Sequence, residues 1–219
     1  MFINKSLQNI QPLLFLNLAK GFIILNQSHI KKPRFEFRVF GENFKRALSV
    51  LSNIIPLREN IKSCETYIVI KNDLIVNIKI RDNSLEIKTL IENNNFLQKW
   101  KPVLKIDFPL DKETLKNEVF PYLKLNETIL LKEQLYSQKQ FLQLFENKRS
   151  IIISKVKKER TFYIFESILC EVTKVNLQDR DITTLCLETE NKEELKSFIS
   201  FLKLDKIKNT SYPQMLASL

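Results

Sequence analysis

The feature that most restricts this chain's fold is two-residue alternation, repeated in stretch after stretch, with apolar side chains on one parity and ionic ones on the other. Arg34-Phe35-Glu36-Phe37-Arg38-Val39-Phe40 is the clearest instance, a strand with its charges on one face and its large apolar groups on the other. The period returns at Thr66-Tyr67-Ile68-Val69-Ile70, Leu74 to Ile80 and Leu85 to Leu90. Lys71-Asn72-Asp73 and Asp82-Asn83-Ser84 separate these runs as Asx-rich turns, which predicts three consecutive antiparallel strands with no room for crossover helices.

Helical spacing is confined to a few segments. Phe44, Ala47, Leu48 and Leu51, extended by Ile55, form one stripe from Glu42 on. Asp111 opens a helix carrying Leu115, Val119 and Leu123, with Pro121 weakening its last turn, and residues 127–147 fit a helix or a helix plus strand about equally, of which a helix is taken. Lys101 to Phe108 reads as a strand. The last third predicts strands at Ser150 to Lys157, Thr161 to Phe165, Leu169 to Asn176 and Thr184 to Glu190, with turns at Lys158-Glu159 and Gln178-Asp179. A helix capped by Asn191 follows, with Glu194 at its third position and Leu195, Phe198, Ile199 and Leu202 on its apolar face. Short antiparallel strands with a few helices define an α+β fold whose sheet can close into a barrel.

Composition removes several chemistries. Gly21 and Gly41 are the only two glycines, so neither a G-x-G-x-x-G dinucleotide loop nor a G-x-x-x-x-G-K phosphate loop can be written. One histidine, His29, and the scattered Cys64, Cys170 and Cys186 supply no four-ligand zinc set and no histidine-based triad. An odd cysteine count without close spacing suits a reducing compartment, and a cytoplasmic location is expected. Pro12 to Leu25 is the least polar stretch, but Asn17 and Lys20 interrupt it and it falls short of the ~20 residues of a membrane span. Residues 1–32 are read as a segment packed on one domain that spans 33–219. A formal charge of +10 and a pI near 9.4 call for an anionic partner.

The polar strand faces carry the functional signal. Arg34, Glu36 and Arg38 share a face, as do Lys79 and Arg81, Glu86 and Lys88, Lys155 and Lys157, Glu171 and Thr173, and Glu188 and Glu190. Any one such pair fits a solvated face with cross-strand ion pairs. Closed with these faces inward, the sheet would enclose cations that neutralise phosphate oxygens and carboxylates that hold a divalent metal.

In order, these segments resemble the CYTH superfamily, the triphosphate tunnel metalloenzymes. Arg34-Phe-Glu36-Phe-Arg38 stands for the ExExK strand, Asn77-Ile-Lys79-Ile-Arg81 and Leu85-Glu86-Ile-Lys88 for the basic strands, Lys155-Val-Lys157-Lys158-Glu159-Arg160 for the late basic strand, and Leu187-Glu188-Thr-Glu190 for the E-x-E strand. Ser211-Tyr212-Pro213-Gln214-Met215-Leu216 is similar to the tail of that family. The chain departs from the pattern at Arg34, where the first glutamate would stand, and at Arg38, where the lysine would stand.

The resemblance implies an antiparallel tunnel-like barrel of about eight strands with peripheral helices, binding a triphosphate or short polyphosphate with Mg²⁺ or Mn²⁺. It assigns Glu36, Glu188 and Glu190 to the metal and the attacking water, and Arg38, Lys79, Arg81, Lys88, Lys155 and Arg160 to phosphate. A metal-dependent phosphohydrolase is the leading expectation. A non-catalytic binder of a polyphosphorylated ligand or RNA 5′ end, motivated by Arg34, and an adenylyl cyclase are the alternatives. General nucleic-acid binding is less favoured, because aromatic interleaving and a sequence-reading helix are absent. The sequence leaves the oligomeric state open.

Overall fold

A computed structural model of the chain describes residues 32–219 except 95, 125–128 and 179. The expectation that residues 1–32 pack on the fold falls almost wholly outside these residues. The strands run β1 (Arg34–Phe40), β2 (Arg58–Ile70), β3 (Val76–Arg81), β4 (Ser84–Asn93), β5 (Gln98–Asp107), β6 (Leu110–Asp111), β7 (Leu135–Tyr136), β8 (Ile151–Phe165), β9 (Ile168–Leu177) and β10 (Arg180–Thr189). All but the small β6–β7 pair join one closed barrel in the order β1-β10-β9-β8-β2-β3-β4-β5, and every pairing is antiparallel. This is the expected α+β barrel with peripheral helices.

Among the described residues five helical stretches surround it: α1 (Lys45–Leu51), α2 (Lys112–Thr114, running through a π turn at Leu115–Val119 into Phe120–Leu123), α3 (Gln138–Gln143), α4 (Lys192–Phe201) and α5 (Tyr212–Ala217). Pro121, which has no N–H to donate, lies just past the π turn. Asn191 caps α4 as expected, its side chain accepting from the backbone N–H of Glu193 and Glu194. Of the two arrangements expected for 127–147, the described residues there form strand β7 followed by helix α3 rather than one helix, Ser137 building a capping box with Gln140 that starts the helix late. Among the described residues, no helix is long and apolar enough to cross a membrane.

The main apolar cores lie outside the barrel. Phe35, Phe37, Val39, Leu185 and Leu187 point outward under Phe44, Ala47 and Leu51 of the α1 region and Leu195, Phe198 and Ile199 of α4. On another flank Ile68, Ile78, Ile80, Leu85 and Ile87 pack beneath Leu115, Val119 and Leu123, with Phe141 and Phe145. Alternation then forces the ionic parity of the same strands inward. An eight-stranded barrel is just wide enough for its interior side chains to meet.

A third cluster lies toward one end of the lumen, where Tyr67, Val69, Val156 and Val175 meet Tyr212, Met215 and Leu216 of α5. Asn209 secures the approach to α5. Its Oδ1 accepts from the Arg38 N–H at 2.9 Å, and its Nδ2 donates to the Glu36 and Phe96 carbonyls at 2.9 and 3.1 Å. The β1–β5 ladder ends at Glu36, so this side chain supplies the bond that β5 no longer gives. Asn209→Ala is expected to lower stability by about 2–4 kcal/mol, since it orphans a buried N–H and two carbonyls. Urea unfolding checks this, and a change below about 0.5 kcal/mol would show the staple to be dispensable.

Candidate active site in the barrel lumen

The lumen is organised around Glu65 on β2, whose side chain is 0% exposed. Lys158 Nζ lies 2.7 Å from its Oε2 and the Tyr67 hydroxyl donates to the same oxygen at 2.9 Å. Arg160 bonds Oε1, with Lys79 and Arg81 each 3.6 Å from it. Burial alone would raise the Glu65 pKa, but Lys158, Lys79 and Arg160 outweigh it and hold the carboxyl well below its ordinary range.

The network extends to both sides. Lys79 and Arg81 also reach Glu86, at 3.3 and 2.7 Å. Glu171 lies 3.2 Å from Arg38 and 3.4 Å from Arg160, and accepts from the Thr173 hydroxyl at 3.1 Å. Burial opposes ionisation of Glu86 and Glu171, yet neighbouring cations bring both pKa values down to about 2. Lys158 is pushed the other way, well below an ordinary lysine, chiefly by its own burial. Its Nζ sits 3.6 Å above the Tyr212 ring, which stacks on Tyr67 at 5.0 Å.

Glu36 and Glu188 form a distinct corner. They are register partners on β1 and β10, so their carboxylates face the same space. Lys88 Nζ approaches Glu36 at 3.0 Å. Among the described residues Glu188 makes no ion pair; its hydrogen bond comes from the Cys186 thiol at 3.6 Å. Burial and then the Glu36 charge raise the Glu188 pKa, while Glu36, despite burial, is lowered by Lys88 and Arg38. One donor atom each from Glu36, Cys186 and Glu188 lies within 4.8 Å of the others. Two converging carboxylates, one without a counter-ion, fit a hard divalent cation such as Mg²⁺ or Mn²⁺.

Of the residues singled out from the sequence, Glu36, Arg38, Lys79, Arg81, Lys88, Arg160 and Glu188 meet in the lumen. Two do not. Lys155 is exposed on the outer face of β8, because that strand continues unbroken through Lys158-Glu159 and its inward parity is Ser154, Val156, Lys158 and Arg160. Glu190 lies just past the end of β10, its side chain 51% exposed and 3.5 Å from Lys32. Arg34 is exposed at the first residue of β1, opposite Trp100 of β5.

Glu65, Tyr67, Lys158 and Tyr212 are site residues without a sequence assignment. Parity in Glu65-Thr66-Tyr67 carried the signal for the first two.

The class that fold and site define is a closed antiparallel barrel with an ionic lumen. No protein-family model and no curated protein matches the chain. Its fold is similar to that of a Pyrococcus horikoshii OT3 protein, PH1012, at 14% identity over 85% of this chain and 98% of that one, with a TM-score of 0.49. HpAC1 from Hippeastrum, with a dominant triphosphatase activity, is similar at 12% identity over 84% of this chain and 95% of that one, TM-score 0.47. The RNA triphosphatase domain of the mimivirus mRNA capping enzyme is similar at 12% identity over 87% of this chain and 94% of that one, TM-score 0.43.

The opposite settings of Glu65 and Glu188 predict opposite effects of removing each charge. Glu65→Gln strands Lys158 and Arg160 and is expected to cost about 3–5 kcal/mol at pH 7. Glu188→Gln removes a half-buried charge whose burial and Glu36 neighbour outweigh the more distant Lys88 and Arg38, and should stabilise the protein at pH 7. Because the Glu188 pKa is raised on folding, its ionised form opposes folding above the ordinary value of 4.5, and the gain should fade below it. Urea unfolding from pH 7 to pH 4 reads both, and equal signs for the two variants would contradict this electrostatic account.

Proposed function

We propose that the chain is a metal-dependent phosphohydrolase that takes a triphosphate or short polyphosphate, inorganic or organic, into the barrel lumen. The observation that carries the reading is the Glu36–Glu188 pair: two carboxylates in one corner, one of them without a cation partner among the described residues, within a basic enclosure. Glu36 and Glu188 would hold Mg²⁺ or Mn²⁺, which when bound offsets phosphoryl charge and acidifies coordinated water.

The remaining steps belong to the protein. Lys79, Arg81 and Lys88 on adjacent strands offer donors to successive phosphoryl oxygens, with Arg38 and Arg160 as the less exposed guanidinium contacts. Arg38, Lys79, Arg81, Lys88, Lys158 and Arg160 face Glu36, Glu65, Glu86, Glu171 and Glu188, so the lumen carries a net formal charge of only about +1 when all are ionised. A polyanion therefore enters by exchanging partners, taking Arg81 or Lys88 from its carboxylate rather than meeting free cations. These two are the more exposed members of the set, at 34% and 31%, which makes them the first contacts for an arriving phosphate.

Arg34 favours a second reading. The resemblance puts a further metal carboxylate at this position, this chain has an exposed cation there, and a binder without turnover needs no such carboxylate. Phosphate release from tripolyphosphate with Mg²⁺ or Mn²⁺ separates the two. Hydrolysis is expected, falling at least about 100-fold in Glu36→Gln and Glu188→Gln, the scale of losing a metal-assisted step. Tripolyphosphate that raises the melting temperature without being cleaved would establish the binder and overturn the enzyme.

A further inference from the structure

Cys186 stands two residues before Glu188 on the same face of β10, and its register partners are Arg38 on β1 and Glu171 on β9. It is 0% exposed. Cys170, also buried, packs in the apolar cluster under α1 and α4, where a thiol serves as a small hydrophobe. Cys186 belongs to none of the apolar clusters among the described residues; its sulfur faces Glu36 and Glu188 instead, donating to Glu188 at 3.6 Å. Sγ and one oxygen from each carboxylate all lie within 4.8 Å of one another, close enough for a single ion to touch all three.

We propose that Glu36, Cys186 and Glu188 form a three-donor site whose sulfur selects a thiophilic or borderline divalent cation, Zn²⁺ or Cd²⁺, over Mg²⁺. The inference rests on the assignment of Glu36 and Glu188 to a metal and adds the third donor. Two oxygens alone suit a hard cation, whereas a thiolate contributes to softer ones and little to Mg²⁺. Binding exchanges the S–H bond for a sulfur–metal bond and releases that proton to solvent, with no change of oxidation state. The incoming cation takes the place of Lys88 beside Glu36, from which Lys88 now stands 3.0 Å away. Mg²⁺ and a thiophilic ion would then compete for one corner, and the softer ion would hold it at lower concentration.

Titration with Cd²⁺ alone tests this in a Cys64→Ser background, which removes the exposed thiol. A thiolate-to-cadmium charge-transfer band saturating at about one equivalent is expected, absent in both Cys186→Ala and Cys186→Ser, with Cd²⁺ affinity at least about tenfold weaker in each. Mn²⁺ affinity, read by electron paramagnetic resonance, should change by less than about threefold and shows that the variants keep the carboxylate corner. A band that survives Cys186→Ala, or Cd²⁺ binding without any band, overturns the sulfur assignment while Mn²⁺ binding leaves the carboxylate reading standing. Failure of both Cd²⁺ and Mn²⁺ to bind overturns the two together.

Discussion

A fully buried carboxylate cannot stay ionised without cations held against it, and Glu65 is such a group at the centre of this barrel. Lys158 and Arg160 from β8, with Lys79 and Arg81 from β3, meet it from the two strands that flank β2. The register of three strands is thus tied to one side chain, because a slip of one residue would send all four cations outward and strand Glu65. From that knot the pairing spreads through Glu86 on one side and Glu171 on the other. The lumen is an ionic lattice wrapped in hydrophobic flanks, and the flanks supply the burial that the interior cannot.

That lattice leaves one corner unbalanced. Every carboxylate of the Glu65–Glu86–Glu171 chain has cations within 4.0 Å, whereas Glu188, among the described residues, has none so close: it faces a thiol and the Glu36 charge, with Lys88 and Arg38 farther off. On the proposed function, the balanced part would offer donors to phosphate and the unbalanced part would hold the cation. A phosphate chain complexed to a divalent metal complements both at once: its oxygens suit the lysines and arginines, and its metal suits Glu36 and Glu188.

The barrel was legible in the sequence because its code is binary. Phe35, Phe37 and Val39 against Glu36 and Arg38 fix which face of β1 is wet, and the Asp82-Asn83 turn fixes the β3–β4 register, with Arg81 opposite Ser84. The code failed where both parities carry charge. In β8, Lys155 and Lys157 share one face and Lys158 and Arg160 the other; a turn expected at Lys158-Glu159 selects Lys155 with Arg160, but neither turn residue is a preferred turn former, the strand runs on to Phe165, and only Arg160 of the two faces inward. In β10, Glu190 has the parity of Glu188 but follows the last ladder residue, Thr189, just before Asn191 begins the cap of α4. Glu65 was missed because its counter-ions are not local; they come from 14 to 95 residues away in sequence, a separation only the folded chain closes.

A crystal of the protein soaked with tripolyphosphate and Mn²⁺ measures the central claim directly, through the anomalous signal of the manganese. The account predicts an anomalous peak between Glu36 and Glu188 with phosphate density running toward Lys79, Arg81 and Lys88. Manganese and phosphate found only on the outer face of the barrel, beside Lys155 and Lys157, with the Glu36–Lys88 pair undisturbed, would contradict it.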